Sequence, residues 1–262
     1  MATKTSYAPG TFSWVDLMAH DIAGAKSFYG DLFGWTARDM DTQGGPPYVQ
    51  FELGGDGVAG MGQMQDEMKS QGMPPVWNNY VTVENVEDTA KQAAELGGTV
   101  VMPAMDVVGA GWMAIIQDPT GAHLSLWQPN AHFGAQRVNE PGTFCWNEMA
   151  TRDIEKAREF FGALLGWEFA DNPGSPSKYY IIKNQGQDNG GLMQMTSEWE
   201  GIPPHWAVYF AVEDTDASAK RVEELGGKVT VQPFDIPVGR MAVVADAQGA
   251  MFSLIKITVD GT

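Results

Sequence analysis

The stretch from residue 9 to 35, PGTFSWVDLMAHDIAGAKSFYGDLFGW, aligns without a gap to residues 141–167, PGTFCWNEMATRDIEKAREFFGALLGW, with 13 of 27 positions identical. Further pairs follow at a slowly drifting offset: GMPPVWNNYVTV with GIPPHWAVYFAV, AELGGTV with EELGGKV, and DPTGAHLSLW with DAQGAMFSLI. Two long copies, rather than many short ones, indicate two similar domains and not a solenoid. A chain of 262 residues divides comfortably that way. The expected boundaries are 9–128 for the first domain, 129–140 for a linker and 141–257 for the second.

Each half carries its own rhythm. TFSWVDLMA alternates as a half-buried strand, with Val15, Leu17 and Ala19 on one face and Trp14, Asp16 and Met18 on the other. Asp21 is placed to cap a helix whose apolar stripe is Ile22, Ala25, Phe28, Tyr29 and Leu32, and Gly34 to stop it. Three strands follow between Gly- and Pro-rich turns. The pattern then restarts at VWNNYVTV, with a helix from Asn85 to Leu96 and three more strands near 99–102, 111–117 and 122–128. The order β-α-β-β-β is expected twice per half, an α+β architecture.

The balance of 16 basic against 33 acidic residues, a net charge of −17, argues against nucleic acid or an anionic membrane as partner. No apolar run approaches the roughly 20 residues that span a bilayer. The opening MATKTSYAPG lacks a basic region followed by an apolar stretch. A cytoplasmic protein is therefore expected. The single cysteine, Cys145, excludes an internal disulfide and a cysteine-clustered zinc site, and alternation points it away from Trp146, packed rather than nucleophilic. Neither a G-x-S-x-G elbow nor a G-x-x-x-x-G-K-[ST] phosphate loop is present.

The module order, FYGDLFGW after the first helix and DPTGAHLSLW at the last strand resemble the vicinal oxygen chelate superfamily of glyoxalases, bleomycin-resistance proteins and extradiol dioxygenases. The doubled PGT-x-x-W, MPPVWNNY and DPTGA are more particularly similar to two-domain actinobacterial glyoxalase-like proteins, often labelled hydroxylases. The resemblance implies tandem domains, each of two βαβββ modules curling into a cup-shaped half-barrel. It also implies metal ligands on the opening strand, the fifth strand and the last strand. Carried onto this chain, those positions are Trp14, Asn78 and Ser125 in the first half, and Trp146, Ala207 and Ser253 in the second. Indole and alanine offer a metal nothing, and neutral serine is a poor ligand. No resident metal is expected, beyond weak binding of a divalent ion by an Asp16/His123 or Glu148/His205 pair.

The same faces offer other chemistry. Trp14, Asn78, Tyr80, Ser125 and Trp127 in the first half, with Trp146, Tyr209 and Ser253 in the second, suit a small, flat, partly apolar ligand. Phe144, Met251 and Ile255 fall on the second face by alternation, and Tyr48 with Tyr180 and Gln63 with Gln194 recur as rim candidates. The tryptophans could equally fill the barrel interior. Asp16 and Glu148, each two places after a tryptophan, need partners or solvent. Either is a candidate general base, assisted by His123 or His205. His205 also reads as a loop histidine bonded to backbone. The expected function is metal-free binding of an aromatic or heterocyclic small molecule, of the resistance or sequestration kind. The alternative is an enzyme of the glyoxalase- or hydroxylase-like kind acting on a methylglyoxal-type aldehyde or an aromatic metabolite. The third is a regulatory role with both faces vestigial. Two fused domains can act as a pseudo-dimer within a monomer, with a homodimer as the other possibility.

Overall fold

The computed structural model describes residues 3–175 and 177–258. The first half runs β1 (Phe12–Ala19), α1 (Ile22–Phe33), β2 (Thr36–Met40), β3 (Tyr48–Leu53), β4 (Asp56–Gln63), a short α2 (Asp66–Ser70), β5 (Val76–Thr82), α3 (Val86–Glu95), β6 (Thr99–Asp106), β7 (Gly111–Gln117) and β8 (His123–Pro129). The second half repeats it with β9 (Phe144–Thr151), α4 (Ile154–Leu165), β10 (Glu168–Asp171), β11 (Tyr179–Asn184), β12 (Gln187–Gln194), β13 (His205–Ala211), α5 (Thr215–Glu224), β14 (Lys228–Ile236), β15 (Gly239–Ala245) and β16 (Met251–Ile257). The local signals act as their chemistry dictates. Asp21 accepts the Ala23 N–H at 3.0 Å, and Asp153 caps α4 through the Lys156 N–H. Gly34 and Gly166 end α1 and α4 at φ 73° and 68°, left-handed values that a side chain resists.

Each half forms its own eight-stranded sheet, in the order β2-β3-β4-β1-β5-β8-β7-β6 and β10-β11-β12-β9-β13-β16-β15-β14. The two modules of a half meet through the antiparallel central pair, β1 with β5 and β9 with β13. Within each module the first strand lies parallel to the last, as β1 with β4 and β5 with β8. The expected cup-shaped half-barrel is corrected here. Both sheets are open, because β2 and β6, and likewise β10 and β14, end the order without pairing to each other. Module order alone does not decide closure, which depends on whether the end strands meet. Among the described residues no strand is exchanged between halves.

The halves are joined by shared core rather than by the connector alone. One apolar cluster combines Tyr29, Trp35 and Phe51 of the first half with Phe210 and Phe252 of the second. The other combines Val81, Leu124 and Leu126 with Phe161, Trp167 and Trp206. Phe33 lies 5.1 Å from Phe210, and Phe12 lies 5.5 Å from Trp167 and 5.1 Å from Trp206. Each such buried ring contributes roughly 1.5–3 kcal/mol relative to exposure. Polar groups cross the same boundary. Asn147 Nδ2 donates to Asn79 Oδ1 at 2.6 Å, and the Tyr29 hydroxyl donates to Asp246 while accepting the Trp77 indole, both at 3.0 Å. Among the described residues no helix is long and apolar enough to cross a membrane.

Candidate functional site

At the start of the first sheet's central pair, β1 carries a bulge. Phe12 pairs with Val81 and Trp14 with Tyr80, leaving Ser13 as the extra residue. The bulge sends Phe12 into the core shared between halves and starts a new alternation at Trp14. Asp16, only 7% exposed, then lies among three donors: Asn78 Nδ2 at 2.9 Å, the Tyr80 hydroxyl at 2.9 Å and the Tyr48 hydroxyl at 3.3 Å. The Trp14 indole donates to Tyr48 at 3.0 Å, and the Ser125 hydroxyl lies beside that of Tyr80. A chain of hydrogen bonds thus runs from indole to tyrosine to carboxylate. Gly60 beside Asp16 makes the approach possible, since a Cβ there would sit 2.0 Å from the Tyr48 hydroxyl. Burial pushes the Asp16 carboxyl above its ordinary range, and its three donors pull partly back. Burial and then the neighbouring Asp16 charge raise Tyr48 and Tyr80, which therefore stay protonated as donors.

The second sheet repeats the design with other lengths. Cys145 is the bulge residue, because Tyr209 pairs with Trp146 and Phe210 with Phe144. The Trp146 indole donates to the Tyr179 hydroxyl at 3.1 Å. Tyr209 donates to Glu148 at 2.8 Å, with the Tyr179 hydroxyl beside the carboxyl and that of Ser253 beside Tyr209. Gly191 stands beside Glu148 as Gly60 stands beside Asp16, with a would-be Cβ at 1.9 Å from the Tyr179 hydroxyl. Glu148, 9% exposed, is likewise pushed up by burial and pulled back by its two tyrosines.

The faces differ in what covers them. Over the first lies the segment after β8, with the His132 ring edge-on to Trp14 at 4.5 Å and 5.8 Å from Trp127. The Trp127 indole donates to the His132 carbonyl at 2.9 Å. Trp14 is 4% exposed, whereas Trp146 is half-buried. Among the described residues no aromatic ring packs on Trp146.

Asp16 is thus brought together with Trp14, Asn78, Tyr80 and Ser125, and Trp127 joins them through His132. Glu148 is brought together with Trp146, Tyr209 and Ser253. The histidines are not placed on the carboxylates. His123 is exposed at the start of β8, and His205 bonds through Nδ1 to the Pro203 carbonyl at 2.9 Å. Both instead line a groove of about 110 Å³ where the halves meet, together with Asn78, Ser125 and Trp206. Tyr180 is one residue away from the position equivalent to Tyr48. It faces the other way and donates to Glu155 at 2.8 Å, while Tyr179 does the work on the site face. Gln63 and Gln194 fasten the strand-to-helix turns, donating to the carbonyls of His20 and Arg152. Phe144 belongs to the shared core and Met251 is exposed. Cys145 lies with Trp146 beside Tyr209, Met241 and Ile255 instead of pointing away, and burial pushes its thiol up to about 12.

Alternation alone could not find Tyr179, His132 and the paired glycines. An isolated glycine inside a strand pattern signals close backbone or side-chain approach, and Gly60 and Gly191 carried that signal.

The residues present do not fit a mononuclear metal ion. Among the described residues no group of three or more His, Cys, Asp or Glu side chains converges. Each carboxylate is surrounded by tyrosine hydroxyls and an indole, where iron or zinc needs about three imidazole or carboxylate ligands. What the arrangement can do is accept a hydrogen bond or hold a proton next to an apolar, aromatic wall.

The family model for the Glyoxalase/Bleomycin resistance protein/Dioxygenase superfamily matches residues 11–126 and again 139–254. CFP32 of Mycobacterium tuberculosis, whose name assigns it provisionally to the glyoxylases, is 42% identical over 259 residues, covering 98% of each chain. The anthracycline biosynthesis protein DnrV of Streptomyces peucetius is 35% identical over 263 residues, covering 97% of this chain and 95% of that one. Among solved structures, the 2,3-dioxygenase LapB from Pseudomonas sp. KL28 superposes with a TM-score of 0.66 at 13% identity, covering 98% of this chain and 96% of that one. The Mn(II)-bound glyoxalase from Novosphingobium aromaticivorans gives 0.65 at 15% identity, covering 95% and 82%. At such identities the likeness is one of fold.

Proposed function

Because the chain belongs to the glyoxalase/bleomycin resistance protein/dioxygenase superfamily, we propose that it binds a small aromatic or heterocyclic molecule at a carboxylate–tyrosine–tryptophan face, without a resident metal ion. The observation that carries this reading is the pair of buried carboxylates, Asp16 and Glu148, each held by tyrosine hydroxyls beside an indole. An aromatic wall with a few fixed polar groups recognises flat molecules by stacking and by one or two oriented hydrogen bonds. The name of the Streptomyces peucetius relative supports it, since anthracyclines are polycyclic aromatics. Titrating the protein with phenol, catechol, indole and benzimidazole, and separately with Zn²⁺, Ni²⁺ and Fe²⁺, while following tryptophan fluorescence tests it. Saturable quenching by aromatics and none by metals is expected. Tight metal binding accompanied by new isomerase activity would overturn it.

A second reading is favoured by the upward displacement of both carboxyls, which suits a general base. In it Asp16 or Glu148 takes a proton from a methylglyoxal-type adduct or an aromatic metabolite, without His123 or His205, which line the groove between the halves instead. Turnover of the methylglyoxal–thiol hemithioacetal, lost in Asp16→Asn or Glu148→Gln, would support this reading over simple binding.

A further inference from the structure

The two faces are built alike yet differ in three linked places. In the first, the chain's own His132 ring stands on Trp14, and its carbonyl takes the Trp127 indole proton. The strap carrying it is fastened along its length: His132 N–H to the Ala110 carbonyl at 2.9 Å, Ala135 N–H to Ser13 at 2.8 Å and Gln136 N–H to Gly57 at 2.7 Å. In the second face Ile255 replaces Trp127, and among the described residues no ring stands on the half-buried Trp146. The third difference lies at the carboxylates. The register that sets Asn78 opposite Asp16 sets Ala207 opposite Glu148. Asp16 therefore receives an amide donor in addition to two tyrosines, while among the described residues no amide reaches Glu148, which has Tyr209 and the neighbouring Tyr179.

We infer that the second face alone receives ligand, the first being closed by His132, and that the ligand is a planar aromatic or heteroaromatic molecule with an N–H or O–H donor. This rests on the binding reading above. The first face shows its occupied form: an aromatic ring edge-on to the tryptophan, and a donor on the carboxylate. The second shows the same frame with both places supplied by nothing on its own strands. A carboxylate has about four lone-pair directions, so Glu148 can accept a further donor where Ala207 gives none. His132 is held neutral, burial bringing its imidazole down to about 4, so what covers Trp14 at neutral pH is an uncharged ring. A tethered ring competes at an effective concentration of millimolar or more, which keeps free ligand from the first face.

The test follows the indole N–H resonances of the full-length chain by two-dimensional nitrogen-15 NMR, with Trp14 and Trp146 assigned from Trp14→Phe and Trp146→Phe. The probes are benzimidazole, which has an N–H donor, and 1-methylbenzimidazole, which lacks it. Benzimidazole is expected to move the Trp146 resonance saturably and leave Trp14 in place, with 1-methylbenzimidazole about tenfold weaker, the worth of one oriented hydrogen bond. In His132→Ala the Trp14 resonance is expected to begin responding. Equal response of Trp14 and Trp146 in the unmodified chain overturns this inference and leaves the binding reading standing, as does a silent Trp14 in His132→Ala. Silence of both resonances to these probes, and of the fluorescence to every aromatic named above, overturns both.

Discussion

The indole N–H of Trp167, at the end of α4 in the second half, donates to the carbonyl of Gly10 in the first at 2.7 Å, and Trp35 returns the same bond to Gly142. This reciprocal pair accounts for a phrase repeated in the sequence. The Pro-Gly before each opening strand offers a carbonyl to the other half's tryptophan, and the same glycine N–H bonds the carbonyl of Thr82 or Ala211. The duplicated phrase is therefore part of the joint between halves as much as a record of duplication.

Replacing Trp35 with Phe keeps most of the apolar contact but leaves the Gly142 carbonyl without its indole donor, whereas in Trp167→Phe the Gly10 carbonyl keeps a second donor, Asn189 Nδ2 at 2.9 Å. A buried group so orphaned costs about 1–3 kcal/mol. Urea denaturation is expected to show Trp35→Phe destabilised by that amount and Trp167→Phe by less, with an unaltered m-value if the halves unfold together. Loss of one half's transition alone would show that the joint is not shared.

Glu148 gives a signed pH dependence. Burial raises its pKa above the unfolded value near 4.5, so between the two values the folded chain keeps a proton that the unfolded chain has released. Its contribution is most favourable below about pH 4.5 and falls as pH rises, by about 1.4 kcal/mol for each unit of the shift. Glu148→Gln removes this titration while keeping an acceptor for Tyr209. The stability of wild type relative to Glu148→Gln should therefore decline from about pH 4 toward pH 8. A difference that grows with pH would mean that Glu148 is stabilised as the anion, opposite to the burial argument.

The element order, the helix caps and the tryptophan–carboxylate spacing were legible because they follow from periodicity and local chemistry. Which face a residue takes was legible only until a bulge intervened. At Ser13 and Cys145 the extra residue resets the alternation, so Phe12 and Phe144 turn into the core. Tyr180 was mistaken for Tyr179 for a related reason. Tyr48 lies 48 − 35 = 13 positions after Trp35 but Tyr179 only 179 − 167 = 12 after Trp167, and one residue of slip exchanges the faces. The open edges of the sheets and the His132 strap depend on contacts between segments far apart in the chain, for which no local pattern exists.

Cys145 sits beside Trp146, where its reactivity reports on the second face. With its thiol raised from an ordinary 9 to about 12, a difference of 12 − 9 = 3 units, its thiolate fraction near neutral pH falls about a thousandfold. Iodoacetamide alkylation at pH 8, followed by intact mass, should be slower than that of a free thiol by a factor of this order. Unfolding in urea should restore the ordinary rate. Alkylation of the folded protein at the free-thiol rate would show that Cys145 is not held within the Tyr209–Met241–Ile255 packing.

Gly134 controls how closely the strap lies on the first sheet. Its φ of +125° is one that a side chain rarely adopts, and a Cβ there would meet the Ser13 carbonyl oxygen at 2.4 Å. Gly134→Ala must therefore lift the strap from β1, weakening the Ala135-to-Ser13 bond and moving His132 off Trp14. The expected result is a loss of about 1–3 kcal/mol in stability together with a larger share of tryptophan fluorescence open to acrylamide. Trp14→Phe in the same background should abolish the added quenching, which places the newly exposed indole at the first face. If quenching instead persists without Trp14, the strap stays closed and the strain is relieved elsewhere in the connector.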